Sequence, residues 1–192
     1  MKYCVYGASS DRIKDVYIKE VEKLGEKMAK RGHGLVFGAG NGGCMGAAAR
    51  GVKKGNGEII GIAPSFFNVD GVLFEDCTEM IHTETMRERK KLLEEKSDAF
   101  IVAPGGIGTY DEFFEIITLK QLEQHRKAIA IFNVDGYYDN LKNIMQKLAD
   151  EEFMPDESLK LAEFFDDADE LLDYLENYKY VRYKPEELKF LK

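Results

Sequence analysis

The chain has 192 residues, of which 44% are hydrophobic and 32% charged, with a formal net charge of -8; this is enough for one domain to bury a core without disulfides or structural metal. The acidic balance argues against non-specific nucleic-acid binding, since a phosphate backbone selects a basic face, and no stretch reaches the roughly 18 uninterrupted apolar residues of a membrane span. The N-terminus, "MKYCVYGASS", enters a strand at once without the apolar stretch of a secretory leader, so a cytoplasmic protein making no membrane contact is expected.

In chain order, short apolar runs bounded by glycine alternate with longer segments of helical period. The runs are "YCVY" near Tyr3, "LVF" near Leu35, "EIIGIA" from Glu58, "EMIHT" from Glu79, "AFIVA" from Ala99 and "AIAIFN" from Ala128. Between them the spacing predicts helices over Lys14 to Lys30, Gly43 to Lys53, Glu84 to Lys96, Thr109 to Gln124 and Tyr138 to Ala149. The first carries Val16, Val21, Leu24 and Met28 inward and is ended by Gly32 and Gly34. Strand and helix in alternation predict an α/β fold: a Rossmann-like, doubly wound parallel sheet flanked by helices, in a single domain. After Pro155 the chain turns acidic. "FFDDADELLDYLENY" reads as an amphipathic helix that packs Leu171, Leu172 and Leu175 on the body, with its carboxylates forming a solvated face. The division expected is therefore residues 1–155 for the main body and 156–192 for a helix and tail packed on it. The final segment, "KYVRYKPEELKFLK", reads equally as an appended piece or as part of a subunit contact.

Cys4, Cys44 and Cys77 are odd in number and form no C-x-x-C pair, and His33, His82 and His125 are far apart. Neither a disulfide framework nor a metal site is expected, and the thiols read as small core residues.

Two glycine loops follow strands and open helices: "FGAGNGGCMGAAARG" from Phe37, and "APGGIGTYDEFFE" from Ala103. In a doubly wound sheet such turns lie at the carboxyl edge of the strands, where ligands bind. Exposed amides and the dipole at a helix N-terminus favour an anion, and glycine lets it approach the backbone. Gly105, Gly106, Gly108 and Thr109 are thus the candidate phosphate cradle. Neither loop continues as G-K-[ST], so neither is a Walker motif. A G-x-G-x-x-G pattern can be laid over Gly38, Gly40 and Gly43, but it follows the second strand rather than the first.

Thr109 and Glu112 have the spacing of a capping box, with threonine as N-cap. That placement also puts an ionised carboxylate, held by the helix dipole, beside anything bound to the loop, and such a group suits charge stabilisation or base catalysis. In "TETMRERKKLLEEKSD" the helical spacing sets Met86, Leu92 and Leu93 within about 60° of Arg89, while Arg87 points away. Arg89 therefore shares an apolar face, where it needs an anionic or planar partner. That partner is either a ligand or an internal carboxylate such as Glu112 or Glu115. Ser9 and Ser10, at the end of the first strand, read either as nucleotide contacts or as a plain turn.

Together these residues resemble the LOG family, the cytokinin riboside 5'-monophosphate phosphoribohydrolases, also called lysine decarboxylase-like. The signature P-G-G-x-G-T-x-x-E is met by Pro104, Gly105, Gly106, Gly108, Thr109 and Glu112. The M-x-x-R-K element is met by Met86, Arg89 and Lys90, and N-V-D-G-Y-Y runs from Asn133 to Tyr138. The first glycine loop departs from G-G-G-x-x-G-L-M-G at Ala39 and Cys44 but keeps Gly38, Gly40, Gly43, Met45 and Gly46. The resemblance covers about Lys2 to Pro155.

The resemblance implies hydrolysis of the N-glycosidic bond of an adenosine 5'-monophosphate, plain or N6-substituted, with no cofactor. It implies that the Gly105–Thr109 loop holds the 5'-phosphate and that Arg89 and Glu112 are catalytic. Ser9, Ser10, Gly40, Gly43, Met86 and Lys90 are the expected further substrate contacts, and a homodimer is the expected assembly. Two rivals stand beside this reading. One is a non-catalytic carrier of a phosphorylated ligand, similar to molybdenum-cofactor carriers, which has no need of the Arg89 and Glu112 pair. The other is true lysine decarboxylation, which needs a pyridoxal-phosphate lysine that no recognisable loop supplies.

Overall fold

Alternating side chains on inner parallel strands are buried on both faces of the sheet, which is why the predicted strands, apart from the one at the edge from Glu79, read as continuous apolar runs. In the computed structural model, which describes residues 1–67, 69 and 71–182, all six of those strands form. They are β1 (Lys2–Tyr6), β2 (Gly34–Phe37), β3 (Ile59–Pro64), β4 (Glu79–Thr83), β5 (Ala99–Val102) and β6 (Ala128–Phe132). A seventh, β7 (Glu163–Phe165), completes a sheet of order β4-β3-β2-β1-β5-β6-β7 in which every pairing is parallel. The chain winds outward from β1 to β4 and returns to β5 on the other side of β1. The switch point of this doubly wound fold therefore lies between β1 and β5.

Each strand feeds two cores. Tyr3, Val5, Leu35 and Phe37 pack under α1 (Asp15–Lys30), α2 (Gly43–Lys54) and α6 (Ala168–Asn177). Cys4, Tyr6, Val36 and Phe100 pack under α3 (Met86–Glu95), α4 (Ile107–Gln121) and α5 (Asp139–Asp150). The three cysteines are free, and Cys4 and Cys44 are buried. Among the described residues no helix is long and apolar enough to cross a membrane. No cluster of metal-ligating side chains occurs among them either.

Four differences from the sequence reading have physical causes. Phe164 and Phe165 belong to β7, and the acidic helix starts only at Ala168, where the Asp167 carboxylate accepts from the amides of Asp169 and Glu170. β7 was missed because its three residues are too short to show a period. α4 opens earlier than predicted, on an extended Gly106, and Thr109 lies inside it. The capping box occurs instead one helix earlier, where Thr85 Oγ1 accepts from the Glu88 amide and the Glu88 carboxylate accepts from the Thr85 amide. Finally, α4 stops at Gln121 without any glycine. Its end is a Schellman turn, with Glu123 N–H bonded to Lys120 O, Gln124 N–H to Leu119 O, and Glu123 at φ 59°. Residues 183–192, which hold most of the tail read as an appendage or subunit contact, lie outside the described residues.

Candidate active site

At the carboxyl edge of the sheet the first glycine loop and the second behave differently. The N-terminus of α2 is already satisfied: Gly43 N–H donates to Asp11 Oδ1 at 2.7 Å and Met45 N–H donates to Ala8 O at 3.1 Å. Gly43 sits at φ 57°, and a Cβ there would lie 2.4 Å from Ala8 O, so glycine is required for close packing between loops. Ala39, where the family pattern has glycine, also takes a left-handed φ of 59°.

The N-terminus of α4 is different. Its N-cap is Gly106, no side chain caps it, and the amides of its first turn have no partner inside the helix. Gly106 and Gly108 are exposed, and a Cβ on either would meet only open space. Gly105 is buried against Thr109, whose Oγ1 would lie 2.1 Å from a Cβ at that position. Gly105 and Gly106 form part of the wall of a cavity of about 290 Å³, together with Ala8, Ser9, Ser10, Tyr17 and Tyr137. This cavity occupies the switch point between β1 and β5. First-turn amides with no partner among the described residues, a positive helix end and an open approach make it a candidate anion site.

A second cavity, of about 360 Å³, adjoins the first at Ser9, which lines both. Its walls include Gly38, Gly40, Met45, Phe67, Val72, Leu73 and Arg89. Arg89 is only 6% exposed. Its Nε donates to Ile62 O at 3.2 Å and its Nη1 to Glu112 Oε1 at 2.8 Å. The guanidinium passes over Gly38, where any Cβ would lie 1.8 Å from Nη2. The capping box that starts α3 fixes the turn on which Arg89 sits, so the inward direction given by helical spacing is realised.

Glu112 lies in the second turn of α4, facing α3 and the end of β1, and is 9% exposed. Burial lifts its carboxyl above the ordinary range, and the neighbouring Arg89 opposes that lift. The expectation of a carboxylate kept ionised by the first-turn dipole is therefore corrected: the guanidinium, not the helix end, supports its charge. The pair meets, but it does not share one cavity. Arg89 faces the 360 Å³ cavity, whereas Glu112 borders a crevice of about 10 Å³ with Tyr6 and Lys90.

The remaining candidates divide. Ser10 lines the 290 Å³ cavity, though its Oγ accepts from Arg12 N–H at 3.2 Å, and Gly40 lines the larger cavity. Gly43 is buried in the loop contact with Ala8, and the exposed Met86 lines neither cavity. Lys90 joins α3 to α4 through Asp111 at 3.1 Å and Glu115 at 2.5 Å. Sequence reasoning did not single out Asp11, which anchors α2, or Tyr137, which walls the 290 Å³ cavity. For Tyr137 the signal was the N-V-D-G-Y-Y stretch; for Asp11 only a tertiary contact identifies it.

A family model described as "Possible lysine decarboxylase" matches residues 45–175. The Arabidopsis thaliana cytokinin riboside 5'-monophosphate phosphoribohydrolase LOG2 is 34% identical over 177 residues, which cover 92% of this chain and 83% of that protein. The Oryza sativa subsp. japonica protein LOGL5, a probable enzyme of the same name, is 36% identical, with 92% and 72% covered. Among solved structures, the molybdenum cofactor carrier protein of Chlamydomonas reinhardtii superimposes with a TM-score of 0.70 at 18% identity, over 91% of this chain and 94% of that one; at that identity it shares the fold alone. With a family match across more than half its length and relatives at a third identity across nine-tenths of it, the chain belongs to the LOG family.

Proposed function

We propose that the protein is a phosphoribohydrolase that cleaves the N-glycosidic bond of a nucleoside 5'-monophosphate bearing adenine or an N6-substituted adenine. Water adds to C1' of the ribose, the bond from C1' to the base nitrogen breaks, and the products are free base and ribose 5-phosphate. The observation that carries this reading is the uncapped N-terminus of α4, open to a cavity that adjoins the one faced by Arg89. The 5'-phosphate takes the amides of Gly106 to Thr109, and the sugar lies toward Ser9. The base extends into the larger cavity, where Phe67, Val72 and Leu73 offer apolar contact.

Breaking the bond builds positive charge on the sugar and negative charge on the departing purine. Arg89 faces the cavity and supports the purine. The Glu112 carboxylate, one hydrogen bond behind it, supplies the compensating negative charge that holds and polarises the guanidinium. Relatives named for the same activity support the assignment. Decarboxylation of lysine is disfavoured because no lysine lines either cavity among the described residues. In this reading the assembly is a homodimer, and light scattering is expected to give twice the 21.8 kDa chain mass.

The test is a panel of nucleoside 5'-monophosphates incubated with the protein and scored for free base by chromatography. Release from adenine nucleotides, plain or N6-substituted, supports the reading. Tight binding of a phosphorylated ligand without release of base would favour the carrier instead.

A further inference from the structure

Three consecutive carbonyls lead into α4, and each is held by a different donor. Tyr138 Oη donates to Ala103 O at 2.8 Å, Ala8 N–H to Pro104 O at 2.9 Å, and Tyr137 Oη to Gly105 O at 2.6 Å. A trans peptide sets the carbonyl of one residue opposite the N–H of the next. Fixing the Gly105 carbonyl therefore fixes the direction of the Gly106 N–H, the amide that leads the unpaired first turn of α4.

The tyrosine is itself firmly placed. Asp135 and Gly136 take left-handed φ values of 53° and 67°, turning the chain back over the loop after β5. Asn133 secures that turn: its Oδ1 accepts from Tyr138 N–H at 2.6 Å, and its Nδ2 donates to Asp139 and Asp166 at 2.9 Å each. The Tyr137 ring packs edge-on against Tyr17, with centroids 5.3 Å apart. Burial raises the Tyr137 hydroxyl above its usual range, so it remains a donor at neutral pH. A phenol has one O–H to give. Here it is spent on the Gly105 carbonyl, which leaves none for an anion in the cavity that the ring lines.

We propose that Tyr137 is a positioning residue for the anion site, its hydroxyl setting the Gly105–Gly106 peptide from which the amides of α4 engage a phosphoryl group. The inference rests on reading that helix end as a phosphate site, and it is independent of turnover. Removing the hydroxyl leaves the ring and its aromatic contacts in place but frees a peptide plane at the mouth of the cavity.

The experiment compares wild type with Tyr137→Phe by calorimetric binding of inorganic phosphate and of AMP, alongside kcat, KM and the thermal midpoint. Loss of one neutral hydrogen bond that aims the amides is expected to weaken both ligands, and to raise KM, by about tenfold. The expected kcat stays within about twofold, since Arg89 and Glu112 are untouched. A lower thermal midpoint with unchanged phosphate affinity would make the hydroxyl a packing feature only and overturn the proposal. Wild type that binds neither phosphate nor AMP would overturn it together with the nucleotide reading. Wild type that binds both but releases no base, with the variant binding more weakly, would remove the hydrolase assignment and leave the positioning role standing.

Discussion

Glu112→Gln separates the charge of the carboxylate from its place in the fold. The amide keeps an oxygen that can accept from Arg89 Nη1, now 2.8 Å from Oε1, so the guanidinium loses its counter-charge but keeps its acceptor. Glu112→Ala lacks that acceptor. It leaves a guanidinium 6% exposed with, among the described residues, the Ile62 carbonyl at 3.2 Å as its one acceptor, and breaking a buried pair in this way costs about 3–5 kcal/mol. For a chain of this size each kcal/mol moves the thermal midpoint by about 2–4 °C. The alanine variant is expected to melt on the order of 10 °C lower, and the glutamine variant only about 2–6 °C lower, for a hydrogen bond weakened by about 1–1.5 kcal/mol. Catalysis should fall in both, since neither carries the charge. Loss of one preorganised charge at a developing oxocarbenium ion lowers kcat by about 100- to 1,000-fold, or roughly 2.7–4 kcal/mol of barrier. Base release and melting curves on the same two preparations decide the matter. A glutamine variant turning over within threefold of wild type would refute the reasoning, because it would show that the negative charge beside Arg89 does no chemistry.

Four further outcomes follow from the geometry. Because burial raises the Glu112 carboxyl, wild-type kcat should fall on the acid side at a pH above the ordinary carboxylate range, and that limb should be missing from the residual activity of Glu112→Gln. His125 is held neutral by burial, its ring nitrogen 2.7 Å from Ile116 O and its pKa lowered from 6.5 to about 4. A lowered histidine contributes stability that is present above its unfolded pKa and lost as pH falls through the folded one. About 3 kcal/mol should thus disappear between pH 6.5 and about 4, and denaturant titrations of His125→Gln should show a flatter dependence there. Glu152 ends α5 at φ 60°, which costs a non-glycine residue about 1 kcal/mol; Glu152→Gly should raise the thermal midpoint by about 2–4 °C. Asp11→Ala removes the carboxylate that accepts from Gly43 N–H at 2.7 Å, and chemical denaturation should show a loss of about 1 kcal/mol.

The strands were legible because burial on both faces leaves apolar runs, and the inward turn of Arg89 because four residues of one helix place Met86, Leu92 and Leu93 beside it. The end of α1 was legible for a similarly local reason: Gly32, at φ 80°, supplies the left-handed residue of its Schellman turn. The same turn ends α2, α4 and α5 on Asn56, Glu123 and Glu152, and no propensity marks a glutamate for that conformation. Two T-x-x-E spacings occur, and sequence could not say that Thr85, not Thr109, would form the box, because Gly106 offers α4 an earlier start. The separation of Glu112 from the cavity that Arg89 faces depends on how α3 leans against α4. Such long-range packing leaves no local pattern to read.

In the proposed mechanism the bare amides of α4 capture a 5'-phosphate beside the cavity faced by Arg89. The most direct test of it is the ratio of kcat/KM for base release from AMP to that from adenosine. A ratio above about 100 is expected, because the amides of α4 hold the phosphate in the transition state as in the ground state, which raises kcat/KM. Equal rates on nucleotide and nucleoside would contradict it.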